Sequence, residues 1–264
     1  MAEIDRRPVT PGTDPLSPIF YALFRAGFYL AGRQSVVMPR HARFLLPGHP
    51  LHIRQRGVNR ERCFADDADR SFYLGLLQEL LPESGCALHA YVLMNNHVHL
   101  LVTPATEDSA ARLMKGLGQR HAQRCNKRWK RTGPLWDGRF KSSLVDSERY
   151  ALTCHRYIEE NAFRAKMVSH PAEYPWSSFH ANALGYPCPF LTEHPTVRSL
   201  DPDPIERRIA YRRLFDTPQS EEELKVIRGA LDSSVPTGSA AFLERVAIAT
   251  GRKVKRRNRQ LIKN

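Results

Sequence analysis

Apolar and polar positions in the first half of the chain predict a strand, a helix and a second strand. Residues 52–57 alternate in character and end at Gly57, which predicts the first strand. A helix follows, because carboxylates at 66–69 cap a segment whose apolar residues recur at helical spacing until Gly85. Residues 91–102 are apolar at both ends and predict one buried strand, which Pro104 closes.

The second half of the chain shows mainly helical spacing. The pattern predicts a helix from residue 109 to about 129, a strand over 140–145, and a helix from the cap Asp146-Ser147-Glu148 to about 166. Prolines between 187 and 204 then indicate a linker, and three further helices are predicted at 205–215, 220–231 and 240–250. We therefore divide the chain into an N-terminal extension (1–37), a main domain (38–186) and a Pro-rich, helical and basic C-terminal region (187–264).

The N-terminal extension fits neither a membrane span nor a signal peptide. Its apolar run, 19–31, is interrupted by Arg25 and is shorter than the roughly 18 to 20 apolar residues that a span needs. The basic residues and the cleavage site of a signal peptide are poorly matched. We expect a dispensable, poorly ordered segment, with Met38 as a more natural start.

Composition narrows the class of partner. The chain has 264 residues, of which 42% are hydrophobic, so it is long enough for one packed domain and an appendage. A formal charge of +13 predicts an anionic partner, with nucleic acid first, although ribosome-associated and membrane-surface proteins share such a charge. The five widely spaced cysteines indicate neither a disulfide framework nor a zinc knuckle, so we expect a reducing, cytoplasmic location.

His97 and His99 are candidate metal ligands on the second predicted strand. Side chains two residues apart on a strand share one face at a separation of about 7 Å, so both imidazoles could bind the same metal ion from a rigid element. The alternative is an ordinary strand with two surface or hydrogen-bonded histidines. Imidazole alone favours Zn, Cu, Fe or Ni, but neighbouring oxygen ligands admit Mg or Mn, so the pair does not identify the metal.

Tyr157 and Asn161 are the second chemical feature. They are four residues apart on the third predicted helix and therefore share one face. If that face packs toward His97 and His99, a phenol and an amide approach the same metal; otherwise Tyr157 is a core residue. Tyr150 lies on nearly the same face but has no amide one turn later, so we interpret it as a packing residue.

A basic stretch between residues 112 and 141 predicts contact with phosphates. One acidic residue, Asp137, stands among ten basic ones there, although such runs are often solvated faces. Trp136 and Phe140 could stack on unpaired bases or belong to the core. The tail from Arg252 to Arg259 lacks acidic residues and predicts nonspecific nucleic-acid binding or disorder. The ten basic candidates are Arg112, Lys115, Arg120, Arg124, Lys127, Arg128, Lys130, Arg131, Arg139 and Lys141.

Several motifs in order resemble those of the HUH single-tyrosine transposases, and in particular the REP-associated branch. The resemblance extends from about residue 39 to about residue 178. Its motifs are Asn96-His97-Val98-His99-Leu100-Leu101, Gly138-Arg139-Phe140-Lys141-Ser142-Ser143, Arg156-Tyr157-Ile158-Glu159-Glu160-Asn161 and Tyr174-Pro175-Trp176-Ser177-Ser178.

The resemblance implies an α+β fold, with a ferredoxin-like central antiparallel sheet, helices and a helical C-terminal extension. It also implies that His97, His99 and Asn161 bind a divalent ion, Mg or Mn, and that Tyr157 attacks a phosphate in single-stranded DNA. The product would be a 5′-phosphotyrosine and a free 3′-hydroxyl, and the implied DNA contains a hairpin. We expect a monomer or homodimer without a membrane partner.

Two other functions remain open on the sequence. The chain could be a domesticated, non-catalytic relative that binds structured single strands, although a binder has no need for both Tyr157 and Asn161. A zinc hydrolase that uses His97 and His99 is disfavoured, because the expected glutamate base and additional histidine are missing nearby.

Overall fold

The computed structural model describes residues 43–146 and 150–254. The described residues from Arg43 onward belong to one compact unit. The predicted N-terminal extension, the cap residues Ser147 and Glu148, and the tail from Lys255 onward lie outside the described residues. Within the described ranges, no helix is long and apolar enough to cross a lipid bilayer.

A four-stranded antiparallel sheet forms the centre of the unit. Its strands are β1 (Leu51–Arg56), β2 (Cys86–Met94), β3 (His97–Pro104) and β4 (Lys141–Leu144), in the order β2-β3-β1-β4. Helix α1 (Asp67–Ser84) joins β1 to β2, and helix α2 (Ser109–Arg128) joins β3 to β4. This β-α-β-β-α-β order is the ferredoxin-like arrangement, so the predicted α+β class is confirmed.

The prediction of a single strand over 91–102 is wrong, because the segment is a hairpin. Strands β2 and β3 pair with each other, and Asn95 and Asn96 form the turn between Met94 and His97. The carbonyl oxygen of Asn95 accepts a hydrogen bond from the amide of Cys63 at 2.8 Å, and that of Asn96 accepts from the amide of Gly57 at 2.9 Å. Two asparagines inside an apolar run are a turn signal, and these bonds satisfy the turn's backbone.

Helices α1 and α2 cover one face of the sheet, with boundaries close to those predicted. The Asp66 carboxylate caps α1 by accepting a hydrogen bond from the amide of Asp69 at 3.2 Å. Gly85 ends the helix at φ +68°, a left-handed conformation that glycine adopts without strain. The two helices bury their apolar sides against β1 and β3. That core includes Tyr73, Leu77, Leu113, Leu117, Ile53, Val98 and Leu100.

The helix predicted from 146 to about 166 is broken. Helix α3 (Ala151–Glu159) ends at Glu160, where ψ is 1°, and a short helix α4 (Asn161–Arg164) follows. Helix α3 packs against β2 and β3 on the sheet face opposite α1 and α2. Tyr150 packs against the same cluster, as its interpretation as a packing residue requires.

After α4, the described part of the chain contains the three helices predicted for the C-terminal region and two shorter ones. The short helices are α5 (Phe179–Leu184) and α6 (Pro195–Arg198), and the three predicted helices are α7 (Pro204–Arg213), α8 (Glu221–Ser233) and α9 (Ala240–Thr250). Single 3₁₀ turns occur at Val58–Arg60 and Pro171–Glu173. Ser220 and Glu223 form a reciprocal capping box at α8, which explains why its start was predictable.

The predicted Pro-rich linker packs along the edge of the sheet. The amide of Thr192 donates to the carbonyl oxygen of Leu88 at 2.7 Å, and Leu191 forms a parallel bridge with Leu88 on β2. The ring of His89 on β2 lies against that of His194, with centroids 4.8 Å apart. The domain boundary placed near residue 187 stays a prediction.

A buried carboxylate network joins α3 to the C-terminal region. Glu159 is fully buried and accepts hydrogen bonds from the Ser178 hydroxyl at 2.6 Å and the Asn182 amide at 2.8 Å. The Tyr211 hydroxyl on α7 donates to its second oxygen at 2.9 Å. Burial nevertheless raises the pKa of Glu159 to about 7, because desolvation penalises the charged form more than these bonds favour it.

Glu159→Gln is expected to flatten part of the pH dependence of stability. Between the ordinary glutamate pKa of 4.5 and about 7, folded Glu159 keeps a proton that the unfolded chain releases. The free energy of unfolding therefore falls as pH rises through this window, by at most about 1.4 kcal/mol per pH unit. Denaturant unfolding at several pH values measures the slope. Exposed Glu244→Gln on α9 is the control, and equal slopes for wild type and Glu159→Gln would contradict the assignment.

Candidate active site

His97 and His99 share one face of β3, as their spacing predicts. Their ring centroids are 5.1 Å apart, while Val98 between them is buried in the core on the other side of the sheet. Nδ1 of His97 lies 2.6 Å from the side-chain oxygen of Asn96, so this nitrogen carries the proton and donates. Nε2 of His97 is then the nitrogen with a free lone pair, which a metal ligand requires.

A third histidine, His52 on β1, lies against this pair and was missed in the sequence. It is 1% exposed, and its Nε2 is 2.8 Å from Nδ1 of His99. The alternation of β1 places His52, Arg54 and Arg56 on one face, which was the available signal. This signal was insufficient, because the sequence does not show which face of the sheet these residues occupy. The strand register, in which Arg54 lies opposite His99, shows that they share the face that carries His97 and His99.

The site keeps its histidines neutral. Burial lowers the pKa of His97 to about 4 and that of His52 to about 3, and it lowers the pKa of His99 well below its ordinary value. Positive charge on Arg54 contributes to all three shifts, and Arg56 contributes to that of His97. Neutral imidazoles are the form that binds metal ions.

Helix α3 brings Tyr157 to the histidines. Its side chain is 5% exposed, and its ring meets those of His99 and His52 edge-on, with centroid distances of 5.6 and 5.5 Å. The guanidinium carbon of Arg164 lies 4.5 Å from the Tyr157 ring centroid. This contact places a positive charge over the face of the phenol ring, a cation–π interaction.

Asn161 completes the predicted set. It begins α4, directly after the break at Glu160, and its side-chain nitrogen lies 3.5 Å from the carbonyl oxygen of Tyr157. The Asn161 side chain also lies beside His97 and raises the pKa of that histidine, against the larger effect of burial. The fold therefore brings His97, His99, Tyr157 and Asn161 together, although no continuous helix connects the last two.

These residues fit a divalent ion that keeps some of its water ligands. Among the described residues, no three His, Cys, Asp or Glu side chains are placed to hold a metal. The available donors are instead two neutral imidazoles and one amide oxygen. Nδ1 of both His97 and His99 is already hydrogen-bonded, which leaves Nε2 of each ring for the ion. Such a mixed nitrogen and oxygen set admits Mg or Mn.

The predicted basic helix α2 lies on the opposite face of the sheet from Tyr157. Its apolar residues belong to the core with Val98, whereas Tyr157 belongs to the cluster with Leu101. Arg112, Arg120 and Arg128 form ion pairs with Asp108 at 2.6 Å, with Glu79 at 2.6 Å and with Asp69 at 2.7 Å, respectively. DNA contact by α2 therefore stays a prediction.

The other basic candidates differ in their surroundings. Arg124 lies over the ring of Phe72, 4.4 Å from its centroid, and Arg131 donates to the carbonyl oxygen of Pro134 at 3.1 Å. Lys141 is opposite Arg54 in the register and so lies on the sheet face that carries the histidines. The remaining four are exposed: Lys115, Lys127, Lys130 and Arg139.

The two aromatic residues of the basic stretch have different positions. Trp136 is a core residue, 8% exposed, and its indole nitrogen donates to the carbonyl oxygen of Gly118 at 3.0 Å. Phe140 is half-buried, and the Arg43 guanidinium lies 3.7 Å from its ring centroid. Trp136 is therefore not available as a stacking platform for bases.

An acidic residue from the C-terminal region covers part of the basic sheet face. Asp232 on α8 accepts a hydrogen bond from Arg54 at 2.6 Å and lies 3.5 Å from the Lys141 ammonium. Leu224, Ile227 and Leu231 hold α8 in the same apolar cluster as Tyr157. Sequence reasoning missed this contact because 178 residues separate Arg54 from Asp232.

Comparisons with known proteins agree with the motifs. Residues 48–161, from just before β1 to Asn161, match the family model described as IS200-like transposase, and this confirms the resemblance. A solved REP-associated tyrosine transposase bound to a REP hairpin is 16% identical, with a TM-score of 0.49, over 60% of this chain and 93% of that chain. A Deinococcus radiodurans R1 protein assigned as a transposase is 21% identical, with a TM-score of 0.33, over 46% of this chain and 95% of that chain. No curated protein sequence matches the chain.

Proposed function

We propose that this chain, whose residues 48–161 match the IS200-like transposase family, is a single-strand DNA endonuclease and strand-transferase in DNA transposition. One observation carries the proposal: the Tyr157 phenol is packed against His99, one of two adjacent neutral histidines that have the geometry of metal ligands. A binding protein needs no buried phenol beside such a pair.

Tyr157 is the proposed nucleophile. A divalent ion held by His97, His99 and Asn161 would polarise the scissile phosphate and favour loss of the phenol proton. That help matters because a free phenol has a pKa of about 10 and is a poor nucleophile at neutral pH. The Tyr157 oxygen bonds to phosphorus, the bond from phosphorus to the 3′-oxygen breaks, and the departing 3′-oxygen takes up a proton. The 5′-phosphotyrosine ester then allows a 3′-hydroxyl to reseal or transfer the strand without ATP.

The proposed substrate is single-stranded DNA that contains a hairpin. The REP-associated motifs support this choice, and the charge of +13 supports an anionic partner. Arg54, Arg56 and Lys141 supply positive charge on the sheet face that carries the histidines. A strand that reaches Tyr157 would pass these side chains.

A covalent-trapping assay tests the proposal. Labelled hairpin oligonucleotides are incubated with the protein and Mg or Mn, and the products are separated on a denaturing gel. A metal-dependent band of DNA linked to protein is the expected result. Binding without cleavage, on hairpins drawn from the genome that encodes the chain, would favour the non-catalytic binder instead.

Asp232→Asn is expected to strengthen DNA binding by about two- to fivefold, because an exposed ion pair is worth up to about 1 kcal/mol. The Asp232 carboxylate competes with phosphate for Arg54 and Lys141. Fluorescence anisotropy at fixed salt measures the affinity. The matched control is Glu221→Gln in the first turn of the same helix, which changes the net charge equally. Equal gains in both variants would show a general charge effect only.

Truncation after Val254 is expected to reduce the salt dependence of DNA binding. It removes five basic residues but keeps Arg252, whose guanidinium lies 4.0 Å from the ring centroid of buried Phe44. The slope of log affinity against log salt should fall by up to about 3.5, at about 0.7 for each phosphate that the shortened chain no longer neutralises. An unchanged slope, measured by the same anisotropy titration, would contradict a DNA-binding tail.

A further inference from the structure

His52 has no part in the chemistry described so far, yet it is built into the site. It lies on β1, which is hydrogen-bonded to β3 on one side and β4 on the other, so its backbone is fixed. Its ring is 5.0 Å from that of His99 and 5.5 Å from that of Tyr157, centroid to centroid. One side chain thus touches both a proposed ligand and the proposed nucleophile.

In the hydrogen bond between His52 and His99, the shared proton can belong either to Nδ1 of His99 or to Nε2 of His52. If Nδ1 of His99 donates to Nε2 of His52, then Nε2 of His99 has a free lone pair. If Nε2 of His52 donates instead, Nδ1 of His99 is the acceptor and its Nε2 carries a proton. Only the first arrangement leaves His99 able to bind a metal through Nε2.

We propose that His52 is a positioning residue that accepts the Nδ1 proton of His99 and so holds His99 in its metal-binding tautomer and orientation. The inference rests on the proposed function, because it assigns His52 a role toward the same divalent ion. Hydrogen-bond acceptors behind ligating histidines fix the tautomer in this way, and their loss commonly weakens metal binding about 10- to 100-fold. The contact with the Tyr157 ring also keeps the nucleophile beside the ligand that His52 orients.

Two substitutions separate this role from simple packing. His52→Phe keeps a buried ring but removes the acceptor, whereas His52→Gln keeps an amide oxygen that can accept from His99. His121→Phe is the control, since it removes another fully buried histidine that hydrogen-bonds the Cys63 carbonyl oxygen on the opposite side of the sheet. Circular dichroism and thermal unfolding identify any variant that fails to fold.

The first measurement is Co(II) or Mn(II) affinity of the full chain without DNA. His52→Phe should bind the ion about 10- to 100-fold more weakly, and His52→Gln should recover most of the loss. His121→Phe should match wild type. A folded His52→Phe with wild-type affinity would overturn the inference, whereas a wild type that binds no ion would overturn the proposed metal site and this inference with it.

The second measurement reads the tautomer directly. Long-range ¹H–¹⁵N correlation spectra of the metal-free, histidine-labelled protein distinguish a proton on Nδ1 from one on Nε2. Wild type and His52→Gln should show His99 protonated at Nδ1, and His52→Phe should show a shift toward Nε2. His99 protonated at Nδ1 in all three proteins would contradict a role for His52 in setting the tautomer.

Discussion

Replacing Tyr157 with phenylalanine should abolish the covalent DNA product and reduce cleavage at least about 1,000-fold, the scale seen when a nucleophile is removed. Phenylalanine keeps the ring that packs against His99 and His52 and lies beneath Arg164. The variant lacks only the phenolic oxygen. Folding, metal binding and DNA binding should therefore stay close to those of wild type.

The matched control is Tyr150→Phe, which removes the same atom seven residues earlier. Tyr150 packs against the cluster that contains Tyr157, whereas the ring that meets His99 edge-on is that of Tyr157. Tyr150→Phe should give the wild-type amount of DNA–protein adduct on a denaturing gel. If wild type and Tyr157→Phe yielded the same product, the tyrosine mechanism would be wrong.

The sequence predicted the fold well wherever local spacing determines structure. Helix α1 could be predicted because Asp66 and Gly85 mark both of its ends, and α8 because Ser220 and Glu223 form its cap. The two errors, in residues 91–102 and 146–166, both merged elements that are separate. In each case apolar spacing continues across a backbone break, so periodicity alone could not show the turn at Asn95 or the end of α3 at Glu160.

The candidate site was predicted only in part, because two of its residues are brought in by contacts between segments that are distant in sequence. His97 with His99, and Tyr157 with Asn161, are local pairs whose spacing fixes a shared face. His52 and Asp232 enter through the register of β1 and the docking of α8, which no local pattern encodes. The charge count likewise identified α2 as basic but could not show that it lies across the sheet from Tyr157.

The position of α2, across the sheet from Tyr157, affects where DNA is expected to bind. Since α2 lies on the opposite face of the sheet, the positive charge nearest Tyr157 comes from Arg54, Arg56 and Arg164. These arginines are close enough to affect the ionisation of the histidines or to interact with Tyr157. Helix α2 could then bind a distant part of the same strand or hairpin without taking part in the chemistry.

His97→Ala should weaken metal binding at least about 100-fold and remove cleavage at ordinary metal concentrations, since it deletes one of the three proposed protein ligands. Tyr157→Phe should instead bind the ion normally and fail only in the chemical step. Titration with Co(II) or Mn(II), run beside the adduct assay, separates these two defects. His180→Ala, outside the site, controls for the loss of one histidine. If His97→Ala kept both the ion affinity and the adduct of wild type, the histidine pair would be a structural feature of the sheet, and the phenol would need another means of losing its proton.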